Sequence, residues 1–496
     1  MQAKHSFPEG RGQGRGASPR SHALDALRGY AIATMILSAT EAFTVLPAWM
    51  YHAQVPPPAH DFNPAIYGIT WVDLIFPFFL FSMGAAIPLS LGRQRQKGAT
   101  LGSLAWKSVK RYAKLVFFAI FIMHAFPFML GYDAEWARYA VPVGAFALLC
   151  LMLMPNPFHL PARGAAAVQG GAYVAATALM VWQPYAGGRA FSLMDNDVIM
   201  LILANVSLTG ALVYLLTMGR PWHRLALMPF IAALFMAAHT DGSWAAQLLR
   251  ASCAPWLYQP AYQEYLLVII PGTVAGEMIA RWLADGRQHT PLGAGAPAAP
   301  GEDGRHGRTA PAWVVAVLAL ALIVLNVALL FTRQLVANVV ASALVVALMA
   351  WLLRRSRCAE APFWRRLCHA GAYLLLLGLC LEAYEGGIRK DDVTLSYLFV
   401  TCGLAFIALL LLTIVCDHYR LAWLSTPLEL VGKNPMVAYV SSSMVVIPVL
   451  VLAHVYPFID AMSAQPLTGF AKGLLLTALS MGLTAWFTRR GYFWKS

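Results

Sequence analysis

Four ionisable side chains stand near the junction of the first two long apolar stretches: Glu41, His52, His60 and Asp73. Glu41 falls at the end of the first stretch and Asp73 at the start of the second. His52 and His60 lie between them, in WMYHAQVPPPAHDFNPAIYGITWVD. Imidazole is the side chain whose ordinary pKa lets it accept and return a proton near neutrality. A carboxylate beside it fixes its tautomer and steadies its charged form. Such a pair can deprotonate an attacking amine or hydroxyl, or carry an acyl group itself. The connecting segment is short and proline-rich, so the four side chains are expected to be neighbours. Residue type alone also allows plainer roles. A loop histidine can bond to backbone, and an acid in the first turn of a helix can simply stabilise that terminus.

Other ionisable residues are weaker candidates. His124 and His369 fall within apolar stretches and are expected to be packed and hydrogen-bonded. Glu382 and Glu385 precede Lys390 in EGGIRKDDVTLSY, where a lysine can pair with the acids or extend to water. The seven cysteines show no CxxC or Cys/His metal spacing, so neither a disulfide framework nor a metal site is expected.

The elements that position these residues follow from composition. The 496 residues are 59% hydrophobic and 12% charged, about half the charge of a soluble domain. Apolar residues come in continuous blocks of about 20, the length of a bilayer-crossing helix. Only helices or closed barrels satisfy their backbone in lipid, and continuous rather than alternating blocks select helices. The expectation is an all-α, polytopic integral membrane bundle of about fourteen transmembrane helices. Their cores fall near 28–45, 70–91, 113–131, 138–154, 165–183, 197–218, 224–239, 262–282, 312–331, 335–353, 367–386, 395–415, 434–455 and 469–488.

The net charge of +13 sits mainly in alternate short loops, the pattern that orients membrane proteins. It predicts both termini in the cytoplasm, a lipid bilayer as partner and no nucleic-acid partner. Residues 1–23 read as a disordered cytoplasmic tail. Residues 24–284 read as an N-terminal transmembrane part, with an outer histidine loop at 46–69. The Gly/Pro/Ala-rich stretch 285–310 reads as a flexible cytoplasmic linker, and 311–496 as the rest of the same membrane domain. No internal repeat is evident, which disfavours an inverted-repeat transporter.

Several segments carry a resemblance. SHALDALRGYAIATMIL holds Asp25, Arg28 and Gly29 in an S-x-D-x-x-R-G pattern. GITWVDLIFPFFLFSMGAAIPLSL holds Gly68, Thr70, Asp73, Leu74, Phe76, Pro77, Met83 and Gly84. PGTVAGEMI holds Gly272, Ala275 and Gly276. IRKDDVTLSYLFVTCGLA holds Lys390, Thr394, Ser396 and Tyr397, and LVGKNPMVAYV holds Gly432, Asn434, Tyr439 and Val440. In this order they resemble the heparan-α-glucosaminide N-acetyltransferase family, of which this chain looks like a bacterial relative. The family core has about ten such helices, so two extra hairpins are expected, near helices six and seven and near nine and ten.

The resemblance implies transfer of an acetyl group from cytoplasmic acetyl-CoA to an amino sugar or glycan beyond the inner membrane. It implies a catalytic histidine just before the second helix. HDFNPAIYGIT aligns best through His60 and Asn63, and His52 in YHA is the second candidate. Asp73 would orient the imidazole. Arg28, Lys107, Lys110 and Arg111 would hold the acetyl-CoA phosphates, as cationic groups do, and Asn434 would assist at the thioester. Glu41, Lys390 and Tyr397 would contact the acceptor. A homodimer stays open, and a sugar or oligosaccharide permease is the alternative reading of the chain.

Overall fold

Ser21 opens the first helix: its hydroxyl accepts the Leu24 N–H at 3.2 Å, the side-chain cap expected at a helix start. From there α1 runs His22–Thr40. The computed structural model describes residues 21–43, 45–240, 242–286 and 312–494. Nearly all of the expected tail 1–23 and linker 285–310 therefore lies outside the described residues.

The longer helical segments that follow are α2 (Val72–Gln96), α3 (Leu101–Ala125), α4 (Glu135–Leu153), α5 (Ala162–Trp182), α6 (Val198–Leu216), α7 (Pro221–Ala238) and α8 (Pro260–Asp285). They continue with α9 (Ala312–Phe331), α10 (Leu335–Arg355), α11 (Ala361–Glu385), α12 (Leu395–His418), α13 (Ala422–Gly432), α14 (Pro435–Leu452) and α15 (Pro466–Arg489). No strand occurs among the described residues.

Twelve of these segments are long and apolar enough to cross a bilayer. The chain is therefore an all-helical, polytopic membrane-type protein. The expected cores outside those twelve fall in α1 and α3. Both are comparable in length but more polar, with Asp25 and Arg28 in one and Lys107, Lys110, Arg111 and Lys114 in the other.

Packing without a hydrophobic drive between helices requires small residues at the crossings. A methyl group at Gly29 of α1 would run into the Leu428 carbonyl of α13, and one at Gly432 into the Asp25 carbonyl of α1. Gly84 of α2 faces Ile269 and Gly272 of α8, and Gly276 of α8 faces Ala85. These glycines belong to the sequence motifs quoted above, so the motifs encode helix contact. α1 packs against α2, α12, α13, α14 and α15. α12 and α2 are the most enclosed segments, at 83% and 72% buried, whereas α5 and α7 reach only 17%. The α9–α10 hairpin is likewise peripheral, at 28% and 22% buried. α6 is not: it is 67% buried and packs against α2, α3 and α8.

Candidate functional site

The segment between α1 and α2 folds back onto itself. The Tyr51 hydroxyl donates to the Ala42 carbonyl at 2.7 Å and accepts the Leu46 N–H at 2.9 Å. The Thr70 hydroxyl donates to the Tyr51 carbonyl at 2.8 Å. Asp73, fully buried, then ties the segment down. Its Oδ2 accepts the backbone N–H of Thr70 at 2.9 Å and of Ala53 at 3.3 Å. Its carbonyl accepts the Tyr397 hydroxyl at 2.7 Å.

Asp73 Oδ1 points the other way, 3.3 Å from His52 Nδ1. The same Nδ1 lies 3.1 Å from the Gln54 backbone N–H. Nδ1 thus has a backbone donor and a carboxylate beside it. His52 Nε2 lies 3.1 Å from Oδ2 of Asp391, in the loop between α11 and α12. The imidazole is therefore held between two carboxylates of unequal character. Asp73 is sealed and rigid. Asp391 keeps 43% of its side chain exposed, and its hydrogen bond to His52 holds its carboxyl below the usual range, against the opposing pull of burial.

Gln54 brings Asp391 to this position. Its amide, fully buried, donates to the Asp391 carbonyl at 2.9 Å and the Pro64 carbonyl at 3.2 Å, and accepts the Asp391 N–H at 2.9 Å. The Gly68 N–H donates to the Ile388 carbonyl at 2.8 Å. Gly387, at φ +148°, presses against Tyr67, where a Cβ would clash with the ring. Arg333 and Arg389 both stack on the Tyr67 ring, at 4.7 and 5.1 Å. Glu385 accepts the N–H groups of Leu395 and Ser396 at the start of α12, at 2.8 and 2.9 Å. A cleft of about 450 Å³ opens beside this loop, lined by Arg333, Leu335, Glu382, Ala383 and Gly386.

His60, in left-handed conformation at φ 56°, is directed elsewhere. Its ring stands edge-on to Tyr51 at 4.6 Å and to Phe43 at 5.1 Å. Of the two histidines, His52 has the carboxylate partners. Glu41 is buried at the end of α1, and neither of its carboxylate oxygens has a hydrogen-bond partner among the described residues. Lys390 neighbours Asp391 in the same loop. Tyr397, fully buried, spends its hydroxyl on Asp73 and so acts as a strut for the site.

The cations expected to form one group divide into two. Arg28 donates to the carbonyls of Gly432 at 3.2 Å and Ser82 at 3.3 Å, and lies 3.6 Å from Asp25. Arg111 is close enough for the two guanidinium charges to repel each other. Lys107 and Lys110 occupy the exposed face of α3, one bonded to Gln94 at 2.8 Å and the other over the Trp106 ring. Asn434 holds the chain end: its amide donates to the Tyr492 carbonyl at 2.7 Å and accepts the Trp494 N–H at 3.3 Å. His124 is fully buried, with Nδ1 2.8 Å from the Ile120 carbonyl. Among the described residues, no group of three or more His, Cys, Asp or Glu could hold a metal ion.

Reading the sequence singles out neither Asp391 nor Gln54. Asp391 sits beside the flagged Lys390 in a run of charges, and Gln54 carries no titratable group. A paired acid in a loop between two apolar blocks was the available signal. The Tyr439 hydroxyl also donates to the Asp197 carboxylate, at 2.9 and 3.0 Å. This pair joins α14 to the start of α6.

No curated protein matches the chain. A family model described as "Domain of unknown function (DUF5009)" matches residues 20–279. That stretch takes in the α1–α2 segment with His52 and Asp73 and ends before Asp391. Since it covers more than half of the 496 residues, the chain belongs to the DUF5009 family.

Proposed function

We propose that this protein is a transmembrane acetyltransferase. It moves an acetyl group from cytoplasmic acetyl-CoA to an amino sugar or glycan on the far side of a bacterial inner membrane. The observation that carries the reading is His52 between Asp73 and Asp391. Fourteen spans, with α1 and α3 added to the twelve apolar segments, would leave both termini in the cytoplasm. His52 would then face the exterior, and Arg28 and Arg111 the inner half of the bundle.

In this scheme His52 is the general base and Asp73 the fixed partner that sets its tautomer. Asp391 is exchangeable, because an incoming N–H or O–H takes its place at Nε2. The acceptor's lone pair forms the bond to the acetyl carbon as the carbon–sulfur bond breaks. Its proton passes to His52 and then to the departing thiolate. A positioned base contributes about 10²- to 10⁴-fold to such a step. Acetyl-CoA brings an activated thioester and several phosphate charges. Arg28 and Arg111 would meet those charges as guanidinium groups, whose forked donors match phosphate oxygens.

The test is direct. Purified protein in nanodiscs, given radiolabelled acetyl-CoA and glucosamine, is expected to yield acetylated sugar, and His52→Gln is expected not to. Uptake of sugar into proteoliposomes without any acetylated product would support the permease instead.

A further inference from the structure

The face of α10 that turns away from the bundle changes character along its length. Val340, Leu344, Leu348 and Trp351 are all exposed. They recur at the three- and four-residue spacing that stacks side chains on one side of a helix. Arg355 continues the same stripe, with its guanidinium 4.0 Å from the centre of the Trp351 ring. Aliphatic side chains, then an indole, then a cation is the order in which a helix leaves hydrocarbon and enters the headgroup layer. The stripe therefore puts Arg355 at the polar edge of the bilayer, whichever face of the membrane that is.

Four more arginines share this level. Only residues 356–360 separate α10 from α11. Arg354 and Arg357 flank the turn, and Arg365 and Arg366 lie within the first two turns of α11. Arg354, Arg357 and Arg366 are exposed and Arg365 is half-buried. Among the described residues, none of the four pairs with a carboxylate. The one acid of the segment, Glu360, is turned to His418, 3.5 Å from its Nδ1. The backbone that carries these cations is held to the bundle. Phe363 stacks on Trp282 of α8 at 5.0 Å, nearly parallel, and Trp364, 1% exposed, stands edge-on to His418 at the end of α12.

Charge that served only to orient the chain would be met as well by lysine. All five cations between residues 354 and 366 are arginine, whose flat guanidinium offers paired donors matched to phosphate oxygens. We propose that these arginines, with Trp351 beside them, form a docking surface for the headgroups of anionic phospholipids in the adjoining leaflet. Charge complementarity selects the lipid, because a zwitterionic headgroup brings no net charge to the cluster. The acyl chains of the bound lipid lie along the stripe from Val340 to Leu348, so headgroup and tails meet one hairpin. The inference is independent of the acetyltransferase reading, and its test requires no turnover.

The experiment places full-length protein in mixed micelles with equal amounts of phosphatidylglycerol and phosphatidylcholine and reads the retained lipid by native mass spectrometry. A micelle has no leaflets in which to orient a chain, so charge that served orientation alone gives no preference there. The protein is expected to retain phosphatidylglycerol over phosphatidylcholine by about 10-fold or more, and R354Q/R355Q/R357Q to bring the ratio to within about 2-fold. Should the triple variant fail to fold, Arg354→Gln and Arg357→Gln alone, each at an exposed position, are each expected to lower the ratio. Equal retention of the two lipids by the wild-type protein, or a preference unchanged in the variants that fold, overturns the docking surface. Displacement of the lipid by excess inorganic pyrophosphate assigns the arginines to a soluble anion and overturns the lipid as their partner.

Discussion

Gln54 holds Asp391 by both of its backbone polar groups, at 2.9 Å each, across a sequence separation of 337 residues. The contact docks the loop between α11 and α12 onto the loop between α1 and α2. It is what places the second carboxylate at His52. Gln54→Ala would strip a partner from the Asp391 N–H and from the Asp391 and Pro64 carbonyls, all at part-buried contacts, at about 0.5–1.5 kcal/mol for each hydrogen bond lost. The expected result is a lower melting temperature, faster amide exchange in residues 386–394 and a reduced kcat with little change in KM for acetyl-CoA. Gln54→Glu, which can still accept the Asp391 N–H, should recover part of the loss.

The two loop histidines should separate kinetically. His52→Gln is expected to lower kcat by about 10³-fold, within the range for loss of a positioned base. His60→Ala, which removes a ring packed edge-on against Tyr51 and Phe43, is expected to change kcat far less. Steady-state rates with radiolabelled acetyl-CoA decide the matter. The opposite pattern would make His60 the base.

The pH response of the Asp391 contact has a defined sign. Its carboxyl sits below the ordinary value in the folded protein. The stabilisation it gives is therefore fully present above the unfolded value, about 3.9. It is lost as pH falls through the lower folded value. In thermal melts, the gap between wild type and Asp391→Asn should be flat above pH about 4 and shrink below it. A gap that widened on acidification would contradict the assigned ion pair.

Helix contact at the motif glycines should be stringent. Gly29→Ala and Gly432→Ala each drive a methyl into backbone of the facing helix, and neither α1 nor α13 can give without moving the other. Both are expected to abolish recovery of folded protein in detergent. Gly144→Ala in α4 meets nothing within 4 Å and should instead be stabilising, by about 0.5–1 kcal/mol. Size-exclusion yield and melting temperature report both outcomes.

The topology predicts where a thiol can be reached. Cys253 is exposed in a loop expected outside, and Gly98 lies in a turn expected in the cytoplasm. A membrane-impermeant maleimide on whole cells should label Cys253, and a single cysteine at position 98 only after lysis. Labelling of His52→Cys from the cytoplasmic side would remove the basis for the proposed function.

The helical membrane architecture was legible because apolar block length is a one-dimensional property, and twelve segments register it directly. α1 and α3 register it less clearly because charges occupy their faces. The grouping of His52 with Asp73 was legible too, since a short proline-rich connection limits where the chain can go. Which of His52 and His60 stands beside the carboxylates was not. A left-handed turn at His60 sends that ring toward Phe43 and Tyr51, and no spacing rule announces it. Asp391 was hidden for a different reason: its role depends on a loop-to-loop contact made by an uncharged amide. The cations of α3 looked equivalent on paper, yet the helical period leaves Arg111 half-buried while Lys107 and Lys110 face outward.

Arg333 lies in the turn of the peripheral α9–α10 hairpin. It rests on one aromatic ring together with Arg389 and donates to the Gly386 carbonyl at 2.8 Å. The hairpin is thereby leashed to the loop that carries Asp391. Peripheral helices change tilt when lipid chains lengthen or shorten, and such a tilt would tug on that loop from a distance. A change of tilt in these helices would thus reach the loop beside the imidazole through a stacked tyrosine rather than through any bound molecule.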